Sequence, residues 1–344
     1  MRRNRTRNRN RNRARTAHRI AVVLAVALAG IAALPGASVA VRRDAVTLIA
    51  AGDIASCDPL AAPGAPQASA LATGAMIRNR LGRDPEALVA VLGDLAYPAG
   101  AAAEFQCFDA AWGSFRDRMR PAPGNHEYYT PGAAAYFAYF GNLAGPPGRG
   151  WYSYEHGSWH VIVLNSSDGC SPVPCRPGSP QYAWLQRDLR DHAGAACTLA
   201  YWHHPRFSSG YHGRPSSPGD GRDPLGFMQP FWALLAKNGV DVVLNGHDHD
   251  YERFAPMNAK GERDPRGMTS FVVGAGGATV TGDHQFASGW KARNSAVRKD
   301  GVWGVLTLSL APGRYAWVFS TDPSSPAYAD GGSRFSDRGA ASCH

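Results

Sequence analysis

Four short, largely apolar runs in this chain of 344 residues stop abruptly at an aspartate or a histidine. Continuous apolar runs of this length predict strands buried on both faces, which are typical of sheets that alternate with helices. In such sheets ligand sites form beyond the carboxyl ends of the strands, so we expect the four polar ends to share one site. The runs and their ends are 45–51 before Gly52-Asp53, 87–92 before Gly93-Asp94, 197–202 before His203-His204, and 240–244 before Asn245-Gly246-His247.

The remaining pattern predicts helices and further strands around these runs, and therefore an α/β fold. A long segment rich in glycine, proline and serine, 208–222, is expected to form a loop over the shared site, because long loops in compact domains are commonly functional. The predicted helices are 68–81, 104–118, 181–192 and 225–237, and the further predicted strands are 152–155, 159–165, 269–274, 302–310 and 314–320.

The net charge of +9 arises at the N-terminus. Residues 1–40 hold nine of the 36 Lys and Arg residues and no acid, so the other 27 basic residues equal the 27 Asp and Glu residues. The rest of the chain is formally neutral, and we expect no nucleic-acid partner. An arginine-rich start, an apolar run at 20–34 and small residues at 37–40 are together typical of a secretory signal peptide.

That apolar run of about 15 residues is short for a membrane span, although an uncleaved N-terminal anchor is the alternative interpretation. We expect a signal peptide over residues 1–40 and a single domain over 41–344. The mature protein is then secreted, to the cell envelope or the extracellular space, without stable membrane association. The sequence indicates no particular oligomeric state.

Six cysteines in an exported chain can form up to three disulfides, with free buried thiols as the alternative. Cys57 follows the first polar strand end and Cys107 follows the second. Because neighbouring strand ends bring these segments together, we expect a Cys57–Cys107 bond. Cys170 and Cys175 flank four residues and could close a small loop.

The residue types at the strand ends indicate a metal site. Asp, Asn, His and Tyr offer oxygen and imidazole ligands without a thiolate, which suits borderline divalent metals and iron better than a structural zinc. His247 and His249 are two residues apart, and alternate side chains of an extended chain share a face. Both imidazoles can therefore bind at one site.

Five sequence blocks resemble, in order, those of the calcineurin-like metallophosphoesterases, and they are most similar to the purple acid phosphatase branch. Ala55 stands where the wider superfamily has a histidine, and Tyr97 ends the second block, as in that branch. Residues 251–253, Tyr-Glu-Arg, also match it, and the resemblance runs from about residue 46 to 320. The blocks are Gly52-Asp53, Gly93-Asp94-x-x-Tyr97, Gly124-Asn125-His126-Glu127, His203 and Gly246-His247-x-His249.

The resemblance implies a four-layer αββα sandwich, in which two mixed sheets lie face to face with helices outside. Plant purple acid phosphatases carry an extra N-terminal β domain, but the first predicted strand here starts only a few residues after the expected cleavage site, so we expect a catalytic domain alone. The resemblance also implies two metal ions bridged by Asp94. One ion, Fe(III), would be held by Asp53, Asp94, Tyr97 and His249, and the other, Zn, Fe or Mn(II), by Asp94, Asn125, His203 and His247.

The function that the resemblance implies is hydrolysis of small phosphomonoesters by a hydroxide that the metals supply. A phosphodiesterase or nucleotidase with the same metals is the alternative enzyme, and a metal- or phosphate-binding protein without catalysis is the alternative from another class. His126 and, in the long loop, His212 are the expected proton donors. Arg206 and Arg214 either bind phosphate oxygens or are solvated loop charges, and His204 is expected to pack behind His203.

Overall fold

The computed structural model describes residues 45–344 except 59, 61, 63, 215–223, 288, 289, 330 and 332. The expected signal peptide, residues 1–40, lies outside the described residues. Contacts divide the chain after Arg42, and all described residues belong to the unit Arg43–His344. Within the described ranges, no helix is long and apolar enough to cross a membrane.

The described part of the chain contains fifteen strands and six α-helices, joined by loops and short 3-10 segments. The strands are β1 Val46–Ala51, β2 Ala55–Ser56, β3 Leu88–Leu92, β4 Ala96–Tyr97, β5 Met119–Ala122, β6 Tyr152–His156, β7 Trp159–Val163, β8 Cys197–Tyr201, β9 Val242–Asn245, β10 Tyr251–Phe254, β11 Thr269–Val273, β12 Ser295–Lys299, β13 Gly304–Ala311, β14 Arg314–Thr321 and β15 Ser336–Ser342. The helices are α1 Ala68–Leu81, α2 Ala102–Trp112, α3 Asn125–Tyr129, α4 Ala134–Phe140, α5 Pro180–Asp191 and α6 Gln229–Lys237.

Two mixed sheets contain all but two of these strands. One sheet has the order β15-β14-β13-β1-β3-β5 and the other β12-β10-β11-β9-β8-β7-β6, while β2 and β4 form a separate pair. Strands β1, β3 and β5 run parallel in the first sheet, and β7, β8, β9 and β11 run parallel in the second. The parallel strands bring their carboxyl ends to one edge of each sheet.

Alternation of side chains along the strands places one core between the sheets and another outside the second sheet. Val161 and Leu199 belong to the core that also contains the strands of the first sheet. The next residues, Ile162 and Ala200, pack instead with Leu185 of α5. Helix α1 packs against β13 of the first sheet, and α2 packs against α1 and the β2–β4 pair. The prediction of two mixed sheets face to face with helices outside is therefore confirmed.

Most predicted elements are present with small shifts at their ends. The helix predicted at 104–118 is α2 followed by a 3-10 segment, Gly113–Arg118, and the one predicted at 225–237 is α6 preceded by a 3-10 turn, Gly226–Met228. Strands β2, β4, β5, β10, β12 and β15 and the short helices α3 and α4 were not predicted. The structure contains the expected Cys57–Cys107 disulfide, the Cys170–Cys175 loop and a third bond between Cys197 and Cys343.

Asp337 of the edge strand β15 links the two sheets through buried hydrogen bonds. Its Oδ2 accepts from the Tyr251 hydroxyl at 2.7 Å and from Arg253 Nε at 2.7 Å, both on β10 of the other sheet. Trp317 Nε1, on the neighbouring strand β14, donates to the same oxygen at 3.1 Å. One carboxylate thus accepts hydrogen bonds from three residues that belong to both sheets.

Replacing Asp337 should therefore destabilise the whole unit. We expect Asp337→Ala to lower the free energy of unfolding by about 2–3 kcal/mol, because hydrogen bonds to a charged group are lost and buried donors remain unpaired. Urea unfolding followed by tryptophan fluorescence measures the change. Arg338→Ala, at the exposed neighbouring position, is the matched control and should change the free energy by at most about 0.5 kcal/mol. Equal effects of the two substitutions would contradict this role of Asp337.

Candidate metal centre

Three of the predicted ligands have a left-handed backbone at the carboxyl ends of the strands. The angle φ is 59° at Asp53, 49° at Asp94 and 74° at His247. This conformation costs about 1–2 kcal/mol for a residue with a side chain, and such strain clusters at functional sites. The turns bend each side chain back toward the meeting point of the two sheets.

The glycines before these residues allow the loops to approach closely. A Cβ atom on Gly93, whose φ is 89°, would lie 2.5 Å from Nδ1 of His203. A Cβ atom on Gly246 would lie 2.5 Å from Oδ2 of Asp53. Either side chain would push apart two loops that come from different sheets, so glycine is required at both positions.

Four predicted ligands form a first group of donor atoms around the Tyr97 hydroxyl. That oxygen lies 3.0 Å from Asp53 Oδ1, 3.1 Å from His249 Nε2 and 3.4 Å from Asp94 Oδ2. His249 Nε2 is 3.3 Å from Asp53 Oδ1. Donor atoms that share an ion at about 2.0–2.2 Å are separated from their neighbours by roughly 3 Å, so these spacings suit one ion.

A second group surrounds Nε2 of His203 and shares Asp94 with the first. This nitrogen lies 3.0 Å from Asp94 Oδ2, 3.1 Å from Asn125 Oδ1 and 3.2 Å from His247 Nδ1. The same Asp94 oxygen therefore lies in both groups. All seven residues predicted as ligands are brought together in this way.

The hydrogen bonds behind the second group direct lone pairs into it. His203 Nδ1 donates to the carbonyl oxygen of Leu92 at 2.8 Å, so in the neutral ring Nε2 directs a lone pair into the group. Asn125 donates through Nδ2 to the Tyr129 hydroxyl at 3.0 Å, which turns its carbonyl oxygen toward His203. With a neutral ring, two acceptors, Nε2 and Oδ1, face each other at 3.1 Å. A proton on Nε2 or a bound cation removes this conflict.

His249 is oriented in the same manner, by a different loop. Its Nδ1 donates to the carbonyl oxygen of Thr279 at 2.6 Å, so Nε2 is directed at Asp53 and Tyr97. Histidines that bind metals usually donate their other nitrogen to an oxygen acceptor. Thr279 was not identified from the sequence, because a backbone carbonyl leaves no signal in the residue type.

Without a cation, the negative charge of the site is balanced by protons. Burial of the ring lowers the pKa of His203, but the charges of Asp94 and Asp53 raise it to about 9. Burial and the charge of Asp53 raise the pKa of the Tyr97 phenol well above its usual value. Although burial raises the pKa of Asp94, the charge and hydrogen bond of His203 lower it below its usual range. Bound cations would take the place of these protons.

The buried carboxylate of Glu127 joins two of the ligand loops. Its oxygens accept from the backbone N–H groups of Asp94 at 2.9 Å, Leu95 at 2.8 Å and Gly124 at 2.7 Å. Burial and the charge of Asp94 raise the pKa of Glu127 to about 7, so the carboxylate is held there at an electrostatic cost. The sequence block contains this residue, but nothing in the sequence indicated its role.

Both expected proton donors line a cavity of about 640 Å³ next to the two groups. His126 Nδ1 lies 2.5 Å from the carbonyl oxygen of Pro98, and His212 Nδ1 lies 2.9 Å from Asp248 Oδ1. In each case the inner nitrogen is held by an acceptor and Nε2 remains available. Asp248 also accepts from the backbone N–H of His212 at 2.9 Å, so it fixes this part of the loop.

Two further histidines and two arginines lie around the donor groups. His204 is buried and lines the cavity, with Nδ1 2.8 Å from Ser166 Oγ. His284, which the sequence did not single out, stacks on His249 with ring centroids 4.0 Å apart. Arg206 Nε donates to Gln229, and neither Arg206 nor Arg214 is among the residues lining the cavity.

Comparison with known proteins gives matches over the segment that carries this site. The family model described as calcineurin-like phosphoesterase matches residues 46–251, a range that contains every predicted ligand. The chain is 33% identical over 129 residues to purple acid phosphatase 21 of Arabidopsis thaliana, which covers 37% of this chain and 26% of that protein. It is 28% identical over 256 residues to an uncharacterized protein of Mycobacterium tuberculosis, covering 60% and 47% respectively. The chain thus spans less than half the length of these relatives.

Among solved structures, purple acid phosphatase PPD1 from yellow lupin (Lupinus luteus) seeds aligns with a TM-score of 0.63. The alignment covers 87% of this chain and 54% of that one, at 19% sequence identity. An identity this low shows a shared fold and no more.

The role of Glu127 can be tested by exchanging one of its oxygens for an amide. In Glu127→Gln one N–H acceptor becomes a donor, so we expect a loss of about 2 kcal/mol in unfolding free energy and at least about tenfold weaker metal binding. Glu104→Gln is the matched control, because Glu104 also accepts from two backbone N–H groups, those of Ala99 and Ala101, both at 2.9 Å. Metal affinity should be unchanged there. Unchanged metal affinity in Glu127→Gln would refute the role proposed for Glu127.

Proposed function

Because this chain belongs to the calcineurin-like phosphoesterase family, we propose that it is a secreted phosphatase that uses two metal ions to hydrolyse phosphomonoesters. The observation that carries the proposal is the pair of donor groups that share Oδ2 of Asp94. Similarity to purple acid phosphatase 21 supports the same branch of the family.

The residues present fit two ions of different character. The group around Tyr97 offers a phenol oxygen and two carboxylates, hard donors that suit Fe(III). The group around His203 offers two imidazoles, one amide oxygen and one carboxylate, which suit Zn, Fe or Mn(II). When bound, two such ions supply Lewis acidity, lower the pKa of water and neutralise charge on the attacking and leaving oxygens.

The chain's own residues would supply proton transfer and positioning. His126 Nε2 lies 3.8 Å from Asp94 Oδ2, at the boundary between the donor groups and the cavity. From there it can protonate the leaving alkoxide, a contribution of roughly 10²–10⁴-fold. His212, held by Asp248, is the second candidate for the same step.

The cavity supports substrates with an organic part of moderate size. Its walls include Tyr129, Leu225 and Phe227, together with the exposed carboxylate of Asp168. Apolar walls favour the carbon part of an ester, while the donor groups face the phosphoryl group. Small phosphoesters are therefore the proposed substrates, and a diester fits the same donor set.

Export is supported by the disulfides. The structure contains three of them, and such bonds persist mainly in oxidising compartments. We accordingly propose that residues 1–40 are removed and that residues 41–344 form the catalytic domain of the secreted protein. N-terminal sequencing of exported protein should find a start near Val41.

Hydrolysis of an aryl phosphate and of the corresponding bis(aryl) phosphate tests the function. We expect metal-loaded protein to release inorganic phosphate from the monoester with the higher kcat/KM. A higher kcat/KM for the diester would favour the phosphodiesterase alternative. No hydrolysis of either ester by protein containing two metals per chain would favour a binding protein instead.

Substitution of Asp94 tests whether the two ions depend on each other. Since one oxygen belongs to both donor groups, Asp94→Ala should lose both ions together, whereas loss of an unshared ligand should affect mainly one. Metal content per folded chain is the measurement. Asp168→Ala, which removes an exposed carboxylate from the same cavity, is the control and should retain two. An Asp94→Ala protein with two metals and wild-type turnover would refute the shared position.

The colour of the iron-loaded protein tests Tyr97. Burial and Asp53 keep the free phenol protonated, but a ferric ion stabilises the phenolate, and charge transfer from it absorbs visible light. Iron-loaded wild type should show a broad visible band that Tyr97→Phe lacks. Tyr182→Phe, a change to a tyrosine of helix α5 outside both donor groups, should keep the band. A band that survives in Tyr97→Phe, or a colourless oxidised wild type, would show that Tyr97 is not a ligand.

A further inference from the structure

A second cluster of imidazole and carboxylate groups lies on the β6–β7 hairpin and helix α5. Glu155 of β6 is directly opposite His160 of β7 in the antiparallel register. Asp188 of α5 and His192, which follows its last turn, are four residues apart and share one face of the helix. His160 lies near the amino end of β7, whereas the metal centre lies beyond the carboxyl ends of the strands.

The ring of His160 is fixed at the base of this cluster. It is 1% exposed, and its Nε2 is 2.8 Å from Asp188 Oδ2. Asp188 is held in turn by a hydrogen bond from Ser153 Oγ at 2.6 Å. The outer nitrogen of His160, Nδ1, is 2.6 Å from Glu155 Oε1. Asp188 and Glu155 therefore contact the two different nitrogens of the same imidazole ring.

His192 completes the cluster on its solvent side. Its ring stacks on that of His160, with centroids 3.8 Å apart and planes at 13°. Its Nδ1 lies 2.8 Å from the carbonyl oxygen of Asp188, which leaves Nε2 free, 3.9 Å from Glu155 Oε1. One ligand atom from each of Glu155, His160 and His192 lies within 4.8 Å of the others.

We propose that Glu155, His160 and His192 form a further metal site, separate from the two donor groups, for a borderline divalent transition ion such as zinc. Two imidazoles and one carboxylate are ligands that such ions prefer. Both histidines already have an oxygen acceptor behind them, supplied by Asp188, as metal-binding histidines usually do. Water completes the coordination, since the side chains of Glu155 and His192 are 57% and 40% exposed.

Binding requires a limited movement of the two exposed side chains. Ligands at about 2.0–2.2 Å from a tetrahedral ion are roughly 3.3 Å apart, so the contact of Glu155 with His160 must lengthen and that with His192 must shorten. The His192 ring must also tilt out of the stack, because its lone pair lies in the ring plane. His160 stays in place, and the ion then links the hairpin to the end of α5.

A second pair of titratable groups lies beside the cluster without belonging to it. A small cavity next to His160 and His192 also holds Asp241 and His344, with His344 Nδ1 3.0 Å from Asp241 Oδ1. These two residues lie outside the proposed ligand set.

Zinc titration of protein whose two proposed active-site ions are already loaded tests this site. Calorimetry and elemental analysis should find one additional zinc per chain. His192→Phe keeps a ring to stack on His160 but removes the ligand, and Glu155→Gln keeps a hydrogen-bond acceptor for His160 but removes the charge. Each should weaken the additional zinc at least about tenfold.

The control is His344→Phe, which removes the neighbouring histidine outside the proposed ligand set. It should bind the additional zinc like wild type, and circular dichroism should be the same for all variants. The proposal is overturned if wild type takes up no additional zinc, if His192→Phe binds it with wild-type affinity, or if His344→Phe loses it. Ester hydrolysis should be unchanged in every variant, because none of these residues belongs to the other metal centre.

Discussion

Buried oxygen and nitrogen atoms of both donor groups converge on Oδ2 of Asp94, and the rest of the structure depends on holding them there. Acceptors held about 3 Å apart repel each other unless a cation or a proton lies between them. No local segment brings them together by itself, because Asp94 follows a strand of one sheet and His203 follows a strand of the other. The energy that opposes this repulsion comes from packing of the two sheets.

Contacts between the carboxyl edges of the sheets maintain that arrangement. The backbone N–H of Gly52, after β1, donates to the carbonyl oxygen of Val273, at the end of β11, at 2.9 Å. The carboxylate of Asp53 accepts from the backbone N–H of His247 at 2.8 Å, again across the two sheets. A residue of the first donor group thus positions the backbone of a residue of the second. The two groups are mechanically coupled even before any ion is considered.

The central strands and the residues that converge at their ends could be predicted from the sequence because their signals are local. An apolar run ending in Gly93-Asp94 shows both a buried strand and the polar group at its end. Strand β15 gave no such signal: it is an edge strand with mostly exposed polar and small residues, and its pairing with β14 depends on contacts that sequence spacing does not show. Asp337 on that strand was missed for the same reason.

The groups that hold the ligands were equally inaccessible to sequence analysis. The partners of His203 and His249 are carbonyl oxygens, which every residue possesses. Glu127 bonds backbone N–H groups more than thirty residues earlier in the chain, and the role of Asp248 became evident only from the position of the loop that carries His212. Residue type indicated which side chains can bind a metal. Only the fold showed which groups orient them.

The most direct test of the account is anomalous X-ray scattering from crystals of the purified protein, with data collected at the iron and zinc absorption edges. The account predicts two separate peaks, one beside Tyr97 with iron scattering and one beside Asn125, with Oδ2 of Asp94 in contact with both. A single peak, or two peaks that do not share Asp94, would contradict it.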